Sequence, residues 1–344
     1  MSELFRRGGP HKVKRIGSNR FRLDISIPND ADGLRARECP SEQCSPAFFK
    51  VRPGTGIVGE QAEAFCPYCR HANTPRNFPT KAQVRYAHDI VKREAHLGVQ
   101  RLVTEKLGLD ASGRRQLATG FIGISLQYKP SALPPVARAA HEELRRDVIC
   151  PHCGLDQSVY GLATWCADCG RDIFLTHVDA EFAVVRRMLT DVDRRRESLG
   201  PRIAAKDLEN CLEDVVTIHE AVLKSFARKL MTVRGKSADE IDTASKKIGN
   251  AFQNADRSSE FFLKELDIVL LEDQDQFATL KRTFQKRHPI THNLGIVDRK
   301  YLEQARTGGK EGHEVRVTAQ EIDAAMKVCT NIFCVLQSKV APPA

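Results

Sequence analysis

Eight of the eleven cysteines fall into two quartets, and no other feature limits the fold as tightly. Cys39-Pro-Ser-Glu-Gln-Cys44 is followed by Cys66-Pro-Tyr-Cys69, and Cys150-Pro-His-Cys153 by Cys166-Ala-Asp-Cys169. Short-spaced cysteine pairs on turns can place four thiolates tetrahedrally round one Zn2+. The second quartet has the regular ribbon layout, with Gly154 and Gly170 freeing the backbone after each second ligand. In the first, the wider Cys39–Cys44 gap still lies within ligand spacings, and His71 is a spare donor that four cysteines make unnecessary. Ala47–Val51 and Ile57–Phe65, split by Pro53-Gly54-Thr55-Gly56, read as a hairpin supporting that site. Four thiolates close the coordination sphere to water, so two structural zinc sites are expected. Whether such ribbons serve as plain scaffold or as a surface for nucleic acid or protein stays open at this point.

The chain has no apolar run long enough for a membrane helix, and its charged N-terminus has no hydrophobic signal core. With reduced cysteines, that points to a cytoplasmic protein. Cys211, Cys329 and Cys334 lie in apolar helical patterns and read as packed core thiols. A net charge of +9 favours polyanionic partners. Only 6% of residues are aromatic, which argues against a stacking platform for single strands.

At 344 residues the chain calls for several domains. Residues 1–78 form a first zinc-ribbon-like module, led by a basic arm (Arg6, Arg7, Lys12, Lys14, Arg15, Arg20) that is either solvated or touches phosphates. Phe21–Ile27 alternates as a half-buried strand does. Residues 79–135 connect, with a helix over Thr80–Leu109, a strand over Phe121–Tyr128 and a proline-rich turn. Residues 136–178 hold a short helix, Val136–Arg146, and the second ribbon. From 179 to 341 the chain is helical: Asp179–Leu199, Ile203–Val233, a helix capped by Ser237 and Glu240, Ser259–Leu271, Gln274–Lys286, Asp298–Arg306 and a last helix capped by Thr318 and Glu321. The expected fold is therefore multidomain, with small β ribbon modules plus a helix in the N-terminal half and an all-α bundle in the C-terminal half.

One stretch of that bundle carries chemistry. Arg287-His288-Pro289-Ile290-Thr291-His292-Asn293 combines planar phosphate donors with two imidazoles that can exchange a proton near neutrality. Pro289 fits the first turn of a helix and predicts a kink or restart at His288–Pro289. A helix from His288 to His292 would set both imidazoles on one face.

This motif resembles the R-x4-6-H signature of HEPN-domain ribonucleases, and Asn293-Leu-Gly295-Ile-Val-Asp298-Arg-Lys-Tyr301-Leu302 looks like the segment that follows it in abortive-infection members. The resemblance covers roughly residues 179–341. It implies a helical bundle that dimerises, bringing two motif copies into one metal-independent endoribonuclease site of the kind found in toxins, antiphage defence and RNA-guided effectors, and a role for this chain in defence or stress response is expected. Arg287 and His292 match the two signature positions and His288 the variable polar one. Some relatives carry a nucleotidylated tyrosine two residues after the histidine; Leu294 stands there in this chain.

The implied partners are RNA, a second copy of the chain through the bundle, and a protein trigger reached through the ribbons. Two other readings compete. Arg287–His292 can be a polar helix end, with the ribbons as a non-catalytic nucleic-acid- or protein-binding module. His288 and His292 can also be an i, i+4 metal pair, although the glutamate that accompanies that pattern is missing.

Overall fold

The computed structural model describes residues 5, 11–18, 20–110, 112–118, 124–136, 145–305 and 310–340. The chain divides into two compact units: Met1–Gly161 with Trp165–Arg171, and Leu162–Thr164 with Asp172–Ala344. Small antiparallel sheets make up the first, apart from one long helix, and helices make up the second.

In the first unit β1 (Lys12–Arg15) pairs with β2 (Phe21–Asp24), so part of the basic arm is a strand; Arg6 and Arg7 lie outside the described residues. β3 (Arg35–Glu38) and β4 (Phe48–Val51) follow, then the two-residue strands β5 (Ala64–Phe65) and β6 (Ala72–Asn73) flanking a cysteine turn. Helix α1 (Lys81–Lys106) begins at a capping box in which Thr80 and Gln83 satisfy each other's backbone donors. β7 (Arg114–Ala118) pairs with β8 (Ile124–Gln127), which falls within the expected strand at Phe121–Tyr128; residues 119–123 lie outside the described residues, as do 137–144 of the expected helix Val136–Arg146. β9 (Arg146–Ile149) and β10 (Asp156–Val159) close the unit.

The expected hairpin of Ala47–Val51 with Ile57–Phe65 does not form. β4 pairs instead with β3 on one side and β10 on the other, in a four-stranded sheet of order β3-β4-β10-β9. As a central strand β4 is covered on both faces: Phe49, Lys50 and Val51 are all buried, with the Lys50 ammonium 3.0 Å from Asp30. The stretch after Pro53 cannot return as a flat strand, because Gly54, Gly56 and Gly59 all take positive φ. At Gly56 a side chain is excluded twice over, since φ is +77° and a Cβ would lie 2.4 Å from the Asp168 carboxylate.

In the second unit α2 (Phe174–Leu199) turns at Gly200 into α3 (Pro201–Val233), with Pro201 where a helix tolerates it. α4 (Ala238–Ile248) starts at the Ser237–Glu240 capping box. A single 3₁₀ turn at Ala251–Gln253 leads to α5 (Ala255–Leu266), which starts earlier than the sequence pattern suggests because Asn254 caps it, accepting from the Arg257 amide at 3.1 Å. α6 (Gln274–Gln285), α7 (Arg287–His292), α8 (Arg299–Ala305) and α9 (Ala319–Val340) complete the chain, the last entering at the Thr318–Glu321 box. One core runs through it, built on Phe174, Phe182, Phe226, Phe252, Phe262 and Phe333. Cys211 and Cys329 are packed into it as expected; Cys334 is exposed, on the outer side of α9. No helix among the described residues is long and apolar enough to cross a membrane.

His219 of α3 is fully buried between the rings of Phe284 and Phe333, at 5.0 and 5.8 Å, with no hydrogen-bond partner on either nitrogen. Burial holds its pKa down to about 3, against an ordinary 6.5. The unfolded chain therefore takes up a proton below pH 6.5 that the native state refuses, and stability falls as pH drops through that window. By linkage the loss at pH 5 is about 2 kcal/mol. Urea unfolding at pH 7 and pH 5 should show that loss in the wild type and not in His219→Leu; equal acid sensitivity in both would contradict it.

Candidate functional site

Each cysteine quartet is built from short turns in which a backbone donor meets sulfur. The Tyr68 amide reaches Cys66 Sγ at 3.5 Å, and the His152 and Asp168 amides reach Cys150 Sγ and Cys166 Sγ at 3.4 Å. Three of the four turns close the same way, with Arg70, Gly154 and Gly170 donating back to the carbonyls of Cys66, Cys150 and Cys166, while in the wider first turn Cys44 donates to the Ser41 carbonyl. Arg70, Gly154 and Gly170 all take positive φ. Glycine is the expected occupant; Arg70 takes the strained conformation and lays its guanidinium 4.6 Å from the centre of the Trp165 ring.

The sulfurs converge. Cys39–Cys69 and Cys44–Cys66 are each 3.6 Å apart, and Cys150–Cys169 and Cys153–Cys166 are 3.8 and 3.5 Å apart. Within each quartet all four lie within 4.8 Å of one another. A tetrahedron with metal–sulfur bonds of about 2.3 Å has edges of about 3.8 Å, so both quartets fit a four-coordinate metal. Burial drives the Cys66 and Cys166 thiols well above their ordinary range and Cys44 up to about 12. Thiols so buried ionise together only around a cation, which is the chemistry of a closed structural site. His71 belongs to neither quartet.

The two quartets share one sheet. β4 leads out of the first quartet's opening pair and β10 lies between the second quartet's pairs, and they pair directly with Val51 opposite Gln157. Gln157, fully buried, accepts from the Ala167 amide at 2.8 Å and so ties the sheet to the Cys166 turn.

In the helical unit, Arg287, His288 and His292 all sit on α7. The break falls at Lys286, which is held by the Arg316 carbonyl at 2.7 Å and Glu321 at 2.5 Å. That is just upstream of the expected restart and leaves Pro289 in the first turn, where its missing donor costs no helical bond. The imidazoles of His288 and His292 are 5.0 Å apart, centre to centre. Arg287 and Thr291, one turn apart, both bond Glu213 of α3. Arg287 Nε donates to one carboxylate oxygen at 3.0 Å and the Thr291 hydroxyl to the other. The segment after the motif is structural: Asn293 donates to Asp298 at 2.6 Å, and Asp298 accepts from the Tyr301 amide at 2.7 Å. Leu294 is 88% exposed, at positive φ.

Arg287, His288 and His292 line one cleft of ≈ 570 Å³ together with Lys281, Phe284 and Gln285 of α6, the start of α5, and the 3₁₀ turn before it. That is an ordinary size for a ligand site. Arg257 and Lys281 add positive charge, the latter paired with Asp256 at 2.9 Å. Among the described residues, the groups of three or more metal-ligating side chains close enough to share one ion are the two cysteine quartets. Sequence reasoning missed Glu213, Arg257 and Lys281. Each is an ordinary charge on an amphipathic helix and gives no local signal of its place.

The chain matches no protein-family model, no curated protein and no solved structure.

Proposed function

We propose that the helical unit is a HEPN-type, metal-independent endoribonuclease and that the cysteine quartets hold two structural Zn2+ ions. The carrying observation is that Arg287, His288 and His292 open onto a single cleft with further cations on its walls. His292 takes the proton of a ribose 2′-hydroxyl, and the 2′-oxygen attacks the adjacent phosphorus. The bond to the 5′-oxygen breaks and His288 returns a proton to it, leaving a 2′,3′-cyclic phosphate and a 5′-hydroxyl. Arg287, oriented by Glu213, neutralises the charge that builds on the phosphate oxygens. A second copy of the chain, docked through the bundle, would bring a second motif to the site. The resemblance places such an enzyme in antiphage defence or stress response, with the ribbons as scaffold or as the surface a trigger touches.

The zinc assignment rests on donor chemistry: four thiolates on tight turns suit Zn2+ or iron, and two closed quartets in a reducing setting suit a redox-inert ion. One observation favours a non-catalytic module instead, because Arg287 already has a carboxylate partner in Glu213. Incubation with RNA and with matched DNA in EDTA separates the readings. RNA should be cut to cyclic-phosphate ends and DNA, lacking the 2′-hydroxyl, left intact. Intact RNA, or DNA cut equally well, would overturn the ribonuclease.

A further inference from the structure

Two segments line the cleft, and one of them carries amides that the phosphate chemistry does not use. α6 and α7 supply Lys281, Arg287 and the imidazoles, which suit a phosphodiester. The other lining segment, the 3₁₀ turn and the start of α5, supplies the amides of Asn250 and Gln253 beside Asp256, which pairs with Lys281, and Arg257. Amides are poor phosphate ligands beside arginine and good readers of a base edge. The Phe284 ring is 4% exposed and walled into the core, so it offers little face for stacking.

The amide wall is rigid. Phe252, between Asn250 and Gln253 in the chain, is fully buried against Phe261 and Phe262 at 5.1 and 5.5 Å. Gln253 is oriented as well: its Nε2 donates to Glu220 at 2.7 Å, and Glu220 is held in turn by Lys224 at 2.6 Å. A carboxylate so placed can only accept, so the amide cannot flip. What Gln253 has left to offer the cleft is its Oε1, an acceptor with no partner among the described residues.

We propose that this wall is a nucleobase subsite, in which Gln253 Oε1 accepts from an exocyclic amino group with Asn250 alongside, so that adenine or cytosine is selected over uracil beside the bound phosphate. Uracil presents carbonyl oxygens where adenine and cytosine present amino groups, and an oxygen facing Oε1 is repelled and left unpaired. The proposal rests on the ribonuclease reading for its phosphate register, yet it can be tested without cleavage.

The probes are short 2′-O-methyl oligoadenylate, oligocytidylate and oligouridylate, which lack the attacking hydroxyl, bound to the full chain and followed by fluorescence anisotropy. Wild type should bind the adenylate and cytidylate about tenfold more tightly than the uridylate. Gln253→Leu should bring that ratio close to one. Asn250 is exposed, so Asn250→Ala keeps the fold and should reduce the ratio in part. In parallel, cut sites are mapped on an RNA of random sequence. Base preference in binding without any cleavage would sink the ribonuclease and leave the subsite standing. Cleavage with no discrimination against uracil, or a preference that Gln253→Leu leaves unchanged, would overturn the subsite.

Discussion

Arg287→Ala should lower RNA cleavage by at least about a hundredfold, the usual cost of removing a group that stabilises charge developing in a transition state. The loss should fall on kcat rather than KM if Arg287 acts mainly on the pentacoordinate phosphorus. His292→Ala should cost about a hundredfold to ten-thousandfold, as the loss of a general base does. Neither change should unfold the chain, since Arg287 and Glu213 are both partly exposed and the core packs around Phe284 and Ile290 instead. Glu213→Gln tells a positioning role from a structural one. It keeps an acceptor for Arg287 Nε but removes the charge, so binding of a phosphate-bearing RNA should tighten while turnover falls through lost orientation. Full activity in Arg287→Ala, with the fold verified by circular dichroism, would return the motif to a polar helix end.

Cys66→Ser and Cys166→Ser should each reduce bound zinc from two ions per chain toward one, by plasma mass spectrometry on the purified chain. The consequences should spread. Both sulfurs are fully buried, and a structural zinc contributes about 10 kcal/mol or more to the fold around it. Because β4 pairs with β10, collapse of either quartet removes a neighbour from the other's strand. Hydrogen exchange should therefore rise on both strands in either single variant. Exchange confined to the mutated quartet would show that the shared sheet does not couple them, and two ions retained in both variants would break the assignment.

Much of this was legible in the residues. Cysteine spacing alone gives both quartets, because ligand geometry is local: two sulfurs on one tight turn stay near each other whatever the rest of the chain does. The capping boxes at Ser237 and Thr318 are equally local, and the structure has both. The Asn254 cap is less legible. It has no glutamate or glutamine three residues on, only Arg257, and the helix starts a turn before the apolar pattern shows it.

The partner of β4 was beyond local reading. Its residues fix that it is a strand, but the choice between a return along Ile57–Phe65 and a long-range pairing with β10 depends on backbone groups more than a hundred positions apart. The glycine conformations after Pro53 settle the outcome against the local hairpin. The motif divides in the same way. Arg287, His288 and His292 are near one another in sequence, and helical spacing places the two imidazoles side by side. By itself the sequence determined which groups could do chemistry and which could hold metal, since both follow from residue type and short spacing. Only the tertiary structure decided what surrounds them: Glu213 on Arg287, and the amides of Asn250 and Gln253 in the same cleft. Those residues come from helix surfaces and a turn where no periodicity distinguishes a functional contact from a solvated one, and packing alone brings them to the same place.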